Sequence, residues 1–179
     1  GACDIDMVLC DEVDLMLHLG HSELDEPPEK VVFLEPRMFS DLKEAVKKAI
    51  PHLRSRRVGV TTTVQHVHLI PAMEDFLKAR GVDVRVAEGT GRSPCRGQVL
   101  GCCFTAAKDA GADQVLFVGT GLFHPIGIAL ATKARVIALD PLTGTVQKVS
   151  GDSLLRRRFA LIEKAREAIK KAAADAEAA

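Results

Sequence analysis

The chain has no tryptophan and no tyrosine, and only seven phenylalanines among 179 residues. Flat rings on which unpaired bases could stack are therefore scarce, and direct binding of single-stranded nucleic acid is not expected. Net charge is also missing: 24 basic side chains balance 24 acidic ones. That balance argues against a whole-domain electrostatic grip on nucleic acid or on an anionic membrane, leaving only local patches. No apolar run approaches the roughly 20 residues that span a bilayer, and residues 1–30 lack a basic start followed by an apolar stretch. A soluble, cytoplasmic protein with no membrane association is the expectation. Five cysteines, Cys3, Cys10, Cys95, Cys102 and Cys103, are an odd number in a chain without a leader, which speaks against a disulfide framework and leaves thiol or metal chemistry open. The first residue is glycine, which suggests a processed or excised chain.

What is present suits a packed domain. Hydrophobic residues make up 47% of the chain, and a chain of this length buries about 70% of its unfolded surface. Short β-branched runs at 15–19, 31–34, 58–62, 82–86, 115–118 and 136–139 have the length of buried strands. Helical spacing separates them at 41–50 and 67–80, where Val67, Ile70, Met73, Phe76 and Leu77 fall near one face. Gly81 follows where a C-cap is expected, and a long amphipathic helix begins at Asp152. Alternation of this kind predicts an α/β fold: a three-layer, Rossmann-like parallel sheet with helices on both faces. Glu-Pro-Pro-Glu at 26–29 marks a turn or linker, with a boundary between it and Arg37. The basic stretch of His52, Arg54, Arg56 and Arg57 reads as a solvated loop between a helix and a strand.

In open α/β sheets ligands bind beyond the carboxyl ends of the strands, so the residues that follow each run are the candidates. Gly20, His21 and Ser22 follow the first; Thr63, Gln65, His66 and His68 follow the third. A glycine-rich loop after the fourth leads to Gly101 and Cys102, and Gly119, Thr120, Gly121 and His124 follow the fifth. The Gly-Thr-Gly turn could direct amides at an anion, but it lacks the third glycine of a dinucleotide fingerprint and no P-loop lysine follows, so a tight turn is the plainer reading. His66 and His68, two apart on a helix, point to different sides. Cys102 follows a glycine and is expected to open a helix whose dipole favours thiolate. Cys3 precedes a short helix expected over 5–10. Neither belongs to a Cys-x-x-Cys pair, and for each the plainer reading is a buried, inert thiol.

The words Gly-Ala-Cys-Asp at 1–4, His18-Leu-Gly-His-Ser22, Thr61-Thr-Thr-Val-Gln-His66, Gly97-Gln-Val-Leu-Gly-Cys102 and Gly119-Thr-Gly-Leu-Phe-His124 occur in this order. In this the chain resembles the archaeal diphthamide synthase radical enzymes, 2-(3-amino-3-carboxypropyl)histidine synthases, from residue 1 to about residue 166. The resemblance implies small α/β domains that each supply one cysteine to a 4Fe-4S cluster, whose open iron takes S-adenosylmethionine. Cys3 and Cys102 would be the metal ligands carried by this chain. Gly101, Gln65, His66, Gly119, Gly121 and His124 would line the cofactor pocket. The implied activity transfers a 3-amino-3-carboxypropyl group to a histidine of translation elongation factor 2. An electron donor and a homodimer or sister subunit are the further partners it implies.

It also implies a division into 1–36 as the end of a first α/β domain, 37–151 as a whole one, and 152–179 as a helix leading toward a third. No third cysteine word follows Asp152, so a third cluster ligand must come from elsewhere. Two rivals belong to other classes: a non-catalytic scaffold or partner subunit that keeps the fold without a complete cluster, and a phosphate or nucleotide binder built on the Gly119 turn.

Overall fold

The structure is a computed structural model that describes residues 5–23, 26–39 and 42–177, with side chains to residue 172. Cys3 and its four-residue word lie outside the described residues. The chain divides into two compact units, 1–149 and 150–179.

The first unit contains two sheets. β1 (Met16–Leu19) and β2 (Val31–Leu34), preceded by the short helix α1 (Met7–Glu12), form a two-stranded parallel sheet. Asp6 caps α1, its carboxylate accepting from the Leu9 amide at 3.1 Å; this short helix lies two residues later than the spacing suggested. The second sheet has five strands: β3 (Arg57–Thr62), β4 (Asp83–Arg85), β5 (Gln114–Val118), β6 (Arg135–Leu139) and β7 (Val146–Val149). They are ordered β4-β3-β5-β6-β7, with every pair parallel except β6–β7.

Strand alternation sends successive side chains to opposite faces, and each face meets its own helices. Val58, Val60, Leu116, Val118, Ile137 and Leu139 pack with α2 (Leu42–Ala49) and α3 (Ile70–Lys78). Val115, Phe117, Val136 and Ala138 pack with Ala106 and Ala107 of α4 (Thr105–Asp109) and Ile128 of α5 (Phe123–Ala131). The fold is therefore α/β with parallel-rich sheets. Gly59 shows how closely α4 approaches: a Cβ there would lie 3.2 Å from that of Ala110. Gly81, at φ +79°, ends the helical segment as expected, its amide donating to Lys78 O and that of Val82 to Leu77 O. This is the paired bonding of a Schellman cap.

Three expectations need correction. The segment expected as one helix over 67–80 begins as a 3-10 helix, Val64–Leu69, and becomes α-helical only at Ile70, where Pro71 occupies the first turn. β7 was not expected; Val146 and Val149 are half-buried while Gln147 and Lys148 between them are exposed, a pattern too polar to stand out as a strand. Antiparallel to β6, it makes the sheet mixed. Cys102 does not open a helix. Leu100 and Cys103 exchange backbone hydrogen bonds of 2.9 and 3.1 Å, and the intervening Gly101 and Cys102 form the turn. Two residues, Cys103 and Phe104, separate Cys102 from the start of α4, which spans only five residues, so the helix dipole is not available to its sulfur.

The second unit is the single helix α6 (Asp152–Glu177). Leu155, Ile162 and Ile169 recur along it at seven-residue spacing, with Phe159 between the first two. Among the described residues no helix is long and apolar enough to cross a membrane.

Candidate functional site at the carboxyl rim

From β3 the chain crosses through α3 to β4 on one side, then returns through α4 to β5 on the other. β3 and β5 are therefore the point at which the winding reverses, and the crevice beyond their carboxyl ends is where such sheets bind ligands. Thr62 closes β3 and Val118 closes β5, tied together by the Thr62 hydroxyl donating to Val118 O at 2.6 Å.

Four of the five sequence words meet around this point. Residues 97–99 add one rung beside Thr62, whose amide donates to Gly97 O while the Val99 amide donates to Thr62 O, both at 2.9 Å. This places Gln98, fully buried, beneath the rim. Its amide group lies 2.9 and 3.1 Å from the buried Ser22 hydroxyl and accepts from the Cys95 amide at 3.1 Å. Gln65 reaches in the same direction, donating to Gly20 O at 3.4 Å. Gly97 has φ +71°, and a Cβ there would lie 2.7 Å from Ile70 Cδ1. Glycine alone satisfies both the backbone angle and the space.

The histidines are held in distinct ways. His18 Nε2 and His21 Nδ1 are 2.8 Å apart, and the His18 ring also lies against Phe33, centroids 4.9 Å apart. His124 stacks on Phe117 at 5.8 Å and meets Phe123 edge-on at 5.4 Å. Burial, and then the neighbouring His18, lowers the pKa of His21; burial, and then His21, lowers that of His124. His21 thus links the β1 loop electrostatically to the β5 loop. His66 is buried, with Nδ1 lacking a hydrogen-bond partner among the described residues, as does Thr61 Oγ1. Its pKa too is lowered, by burial and then by His68, against a smaller opposing pull from Asp140. His68 is exposed against Phe39, so the two histidines diverge as their spacing required.

Among the glycines, Gly119 donates its amide to Leu139 O at 3.0 Å, which removes one donor from any anion cradle there. Gly121 has φ +74° with open space around it. The volume a side chain would occupy at Gly101 is held by the ring of Phe123, 2.4 Å from an ideal Cβ. Cys102 is exposed, with Arg92 Nη1 3.8 Å from its sulfur. Burial raises the pKa of Cys103 next to it, but the hydroxyls of Ser93 and Thr105, the Thr105 amide and Lys108 outweigh this and leave it lowered. Among the described residues no three His, Cys, Asp or Glu side chains are grouped to hold a metal ion.

The family model "Putative diphthamide synthesis protein" matches residues 1–172. The chain belongs to the diphthamide synthesis protein family. It is 37% identical to 2-(3-amino-3-carboxypropyl)histidine synthase from Pyrococcus horikoshii, over 95% of this chain and 51% of that protein. It is 29% identical to the synthase from Methanocaldococcus jannaschii, over 92% of this chain and 46% of the relative. A crystal structure of Dph2 from Pyrococcus horikoshii with a 4Fe-4S cluster superposes at a TM-score of 0.83 and 35% identity, covering 93% of this chain and 51% of that one. The chain thus spans about half the length of these diphthamide synthesis relatives.

The structure brings Gln65, His66, Gly119, Gly121 and His124 to the ends of β3 and β5, and Gly101 joins them through Phe123. Gln98, to which the sequence assigned no role, ties two of the diphthamide synthesis words together through Ser22, a candidate without a stated role, while His18 holds His21 within its own word. All of these residues lie within the five words, so the presence in each word of a polar residue that is not a ligand was the available signal.

Proposed function

We propose that this chain is the part of a 2-(3-amino-3-carboxypropyl)histidine synthase that holds one wall of its cofactor site, acting in diphthamide biosynthesis on translation elongation factor 2 in the cytoplasm. The observation that carries the reading is the convergence of four family words at the strand-order reversal, with an exposed cysteine in the adjoining turn. The sheet would be a three-layer, Rossmann-like domain spanning 37–151; the separate pair β1–β2 supports assigning 1–36 to a preceding domain, and residues 152–179 would lead toward a third. Members of the family that carry a cluster need thiolates from several places. Cys102 fits this role in part: its sulfur is accessible and turned out of the core by a two-residue turn. Among the described residues no three potential ligands are grouped around it, so Cys3 and a cysteine from outside this chain would complete the set.

When bound, a 4Fe-4S cluster would supply the electron that cleaves S-adenosylmethionine to a 3-amino-3-carboxypropyl radical. The chain's own residues would bind and orient. Cys102 would hold iron, and the turn through Gly101 would present it. Gln65 and His124 would line the cofactor pocket, and His66 would offer its unpartnered Nδ1 there. The lowered pKa values of His66 and His124 favour neutral rings, which do not repel a sulfonium cation. An electron donor and either a second copy or a sister subunit complete the proposed system.

Anaerobic iron and sulfide reconstitution of the full chain tests the reading. Thiolate-to-iron charge-transfer absorbance that is lost in Cys102→Ala, and reduced or lost in Cys3→Ala, is expected. Iron content indifferent to both substitutions would instead identify a scaffold or partner subunit that keeps the fold without a cluster.

A further inference from the structure

The amino ends of the strands form a second rim, and its chemistry is unlike that of the first. Gln114, at the start of β5, is 3% exposed. Its Oε1 accepts from the amides of Arg54 and Ser55 at 2.9 and 3.2 Å, and its Nε2 donates to His52 O at 2.8 Å. One buried amide side chain thus clamps the loop that carries His52 and Arg54.

The register places Arg135 beside Gln114, and Lys148 opposite Ile137. Arg135 and Ile137, two apart on β6, share a face, so Arg135 and Lys148 are diagonal neighbours on it, roughly 7–8 Å apart. His52, Arg54, Arg135 and Lys148 border one cavity of about 160 Å³, which Gln114 and Ile137 also line. No carboxylate lines it. Among the described residues, none of these four side chains makes an ion pair. Some cations elsewhere are paired, as Arg96 is with Glu74 and Glu88 and Lys78 with Glu74, while isolated ones such as Arg56 and Lys133 are not paired among the described residues; what sets these four apart is that they border one cavity.

We infer that this cavity is a binding site for a single phosphate group, free or as a compact phosphate ester. Like charges drawn together without counter-charges repel one another unless an anion joins them. Guanidinium groups match phosphate oxygens in pairs, and a lysine adds a point charge. The dimensions suit one phosphate group, carried alone or on a compact molecule such as pyrophosphate, rather than an extended polyanion. The protein also has zero net charge and no tryptophan or tyrosine for base stacking, which disfavours nucleic acid as the occupant.

Calorimetric titration of the full chain with inorganic phosphate and with pyrophosphate, in low-chloride buffer, tests the site. Expected is saturable binding at one site per chain, weakened at least tenfold in Arg135→Gln/Lys148→Gln and several-fold in Arg54→Gln. Arg56→Gln, which lies outside the cavity, should leave it unchanged. Equal weakening by Arg56→Gln, equal competition by chloride, or the absence of saturation would overturn the inference. Oligonucleotide binding that pyrophosphate does not displace would also overturn it, in favour of a nucleic-acid surface. Thiols and iron play no part in this titration, and iron uptake by the double variant should be normal, so failure here is separable from failure of the cluster reading.

Discussion

The two rims of the five-stranded sheet are made by the same strands, yet they solve opposite problems. At the carboxyl rim, polar groups lie under cover: Gln98, Ser22, Thr61, Thr62 and His66 are all buried, and His21 and His124 carry pKa values lowered chiefly by burial. At the amino rim Arg54, Arg135 and Lys148 stand in solvent, and the buried Gln114 side chain serves to hold the loop that carries Arg54. The difference shows where each rim keeps its order. The first is ordered by hydrogen bonds through Gln98, Ser22 and Thr62, with Thr61 Oγ1 and His66 Nδ1 left unpartnered among the described residues; the second presents charge outward, where the described residues offer no ion-pair partner. Substitutions at the first should therefore cost stability, and those at the second should leave it nearly untouched.

The largest effect is expected at Gln98. Gln98→Leu leaves the Ser22 hydroxyl and the Cys95 amide without partners; at about 1–3 kcal/mol for each stranded group, unfolding should become easier by about 2–6 kcal/mol, read as a lower urea midpoint at unchanged m-value. Gly97→Ala comes next, at about 2–4 kcal/mol, because it combines a left-handed backbone at φ +71° with a Cβ 2.7 Å from Ile70. A midpoint unchanged by either substitution would break the contrast between the rims.

Acid should separate them further. Burial first, and neighbouring histidines second, depress His21, His66 and His124 in the folded state, so the unfolded chain binds more protons as the pH falls through the ordinary histidine value of 6.5. Stability is then full above about that pH, declines below it, and levels off beneath the folded values. His124→Asn should flatten this slope between pH 7.5 and 5.5, measured as urea midpoints; a slope that persists unchanged would remove His124 from the account. The smallest effect belongs to the amino rim, where Arg135→Gln/Lys148→Gln should move the midpoint by no more than about 0.5 kcal/mol equivalent. A larger loss would mean that these cations support the fold rather than a ligand.

Much of the scaffold was legible in the chain because burial on both faces of a parallel sheet leaves continuous β-branched runs. Val58 to Thr62 and Val115 to Val118 are entirely buried, and both were visible as strands. β7 was not, since an edge strand in which Gln147 and Lys148 face solvent lacks the apolar continuity that marks a central one. Helix boundaries near proline and in short turns were equally hidden: Pro71 and the Leu100–Cys103 pairing decide them through local geometry rather than hydrophobic pattern.

The order of residues by itself determined the family, the alternation of strand and helix, and the set of loops that follow the strands. Those depend on local pattern and on words that survive as contiguous text. Tertiary structure alone decided that Ser22 would meet Gln98 across 76 residues, that His21 would approach His124, that Cys102 would occupy a turn, and that His52, Arg54, Arg135 and Lys148 would border one cavity. The physical reason is strand order. Which loops become neighbours depends on how β3 and β5 pair after each crossover, and that pairing is a property of the folded sheet that no stretch of the chain encodes locally.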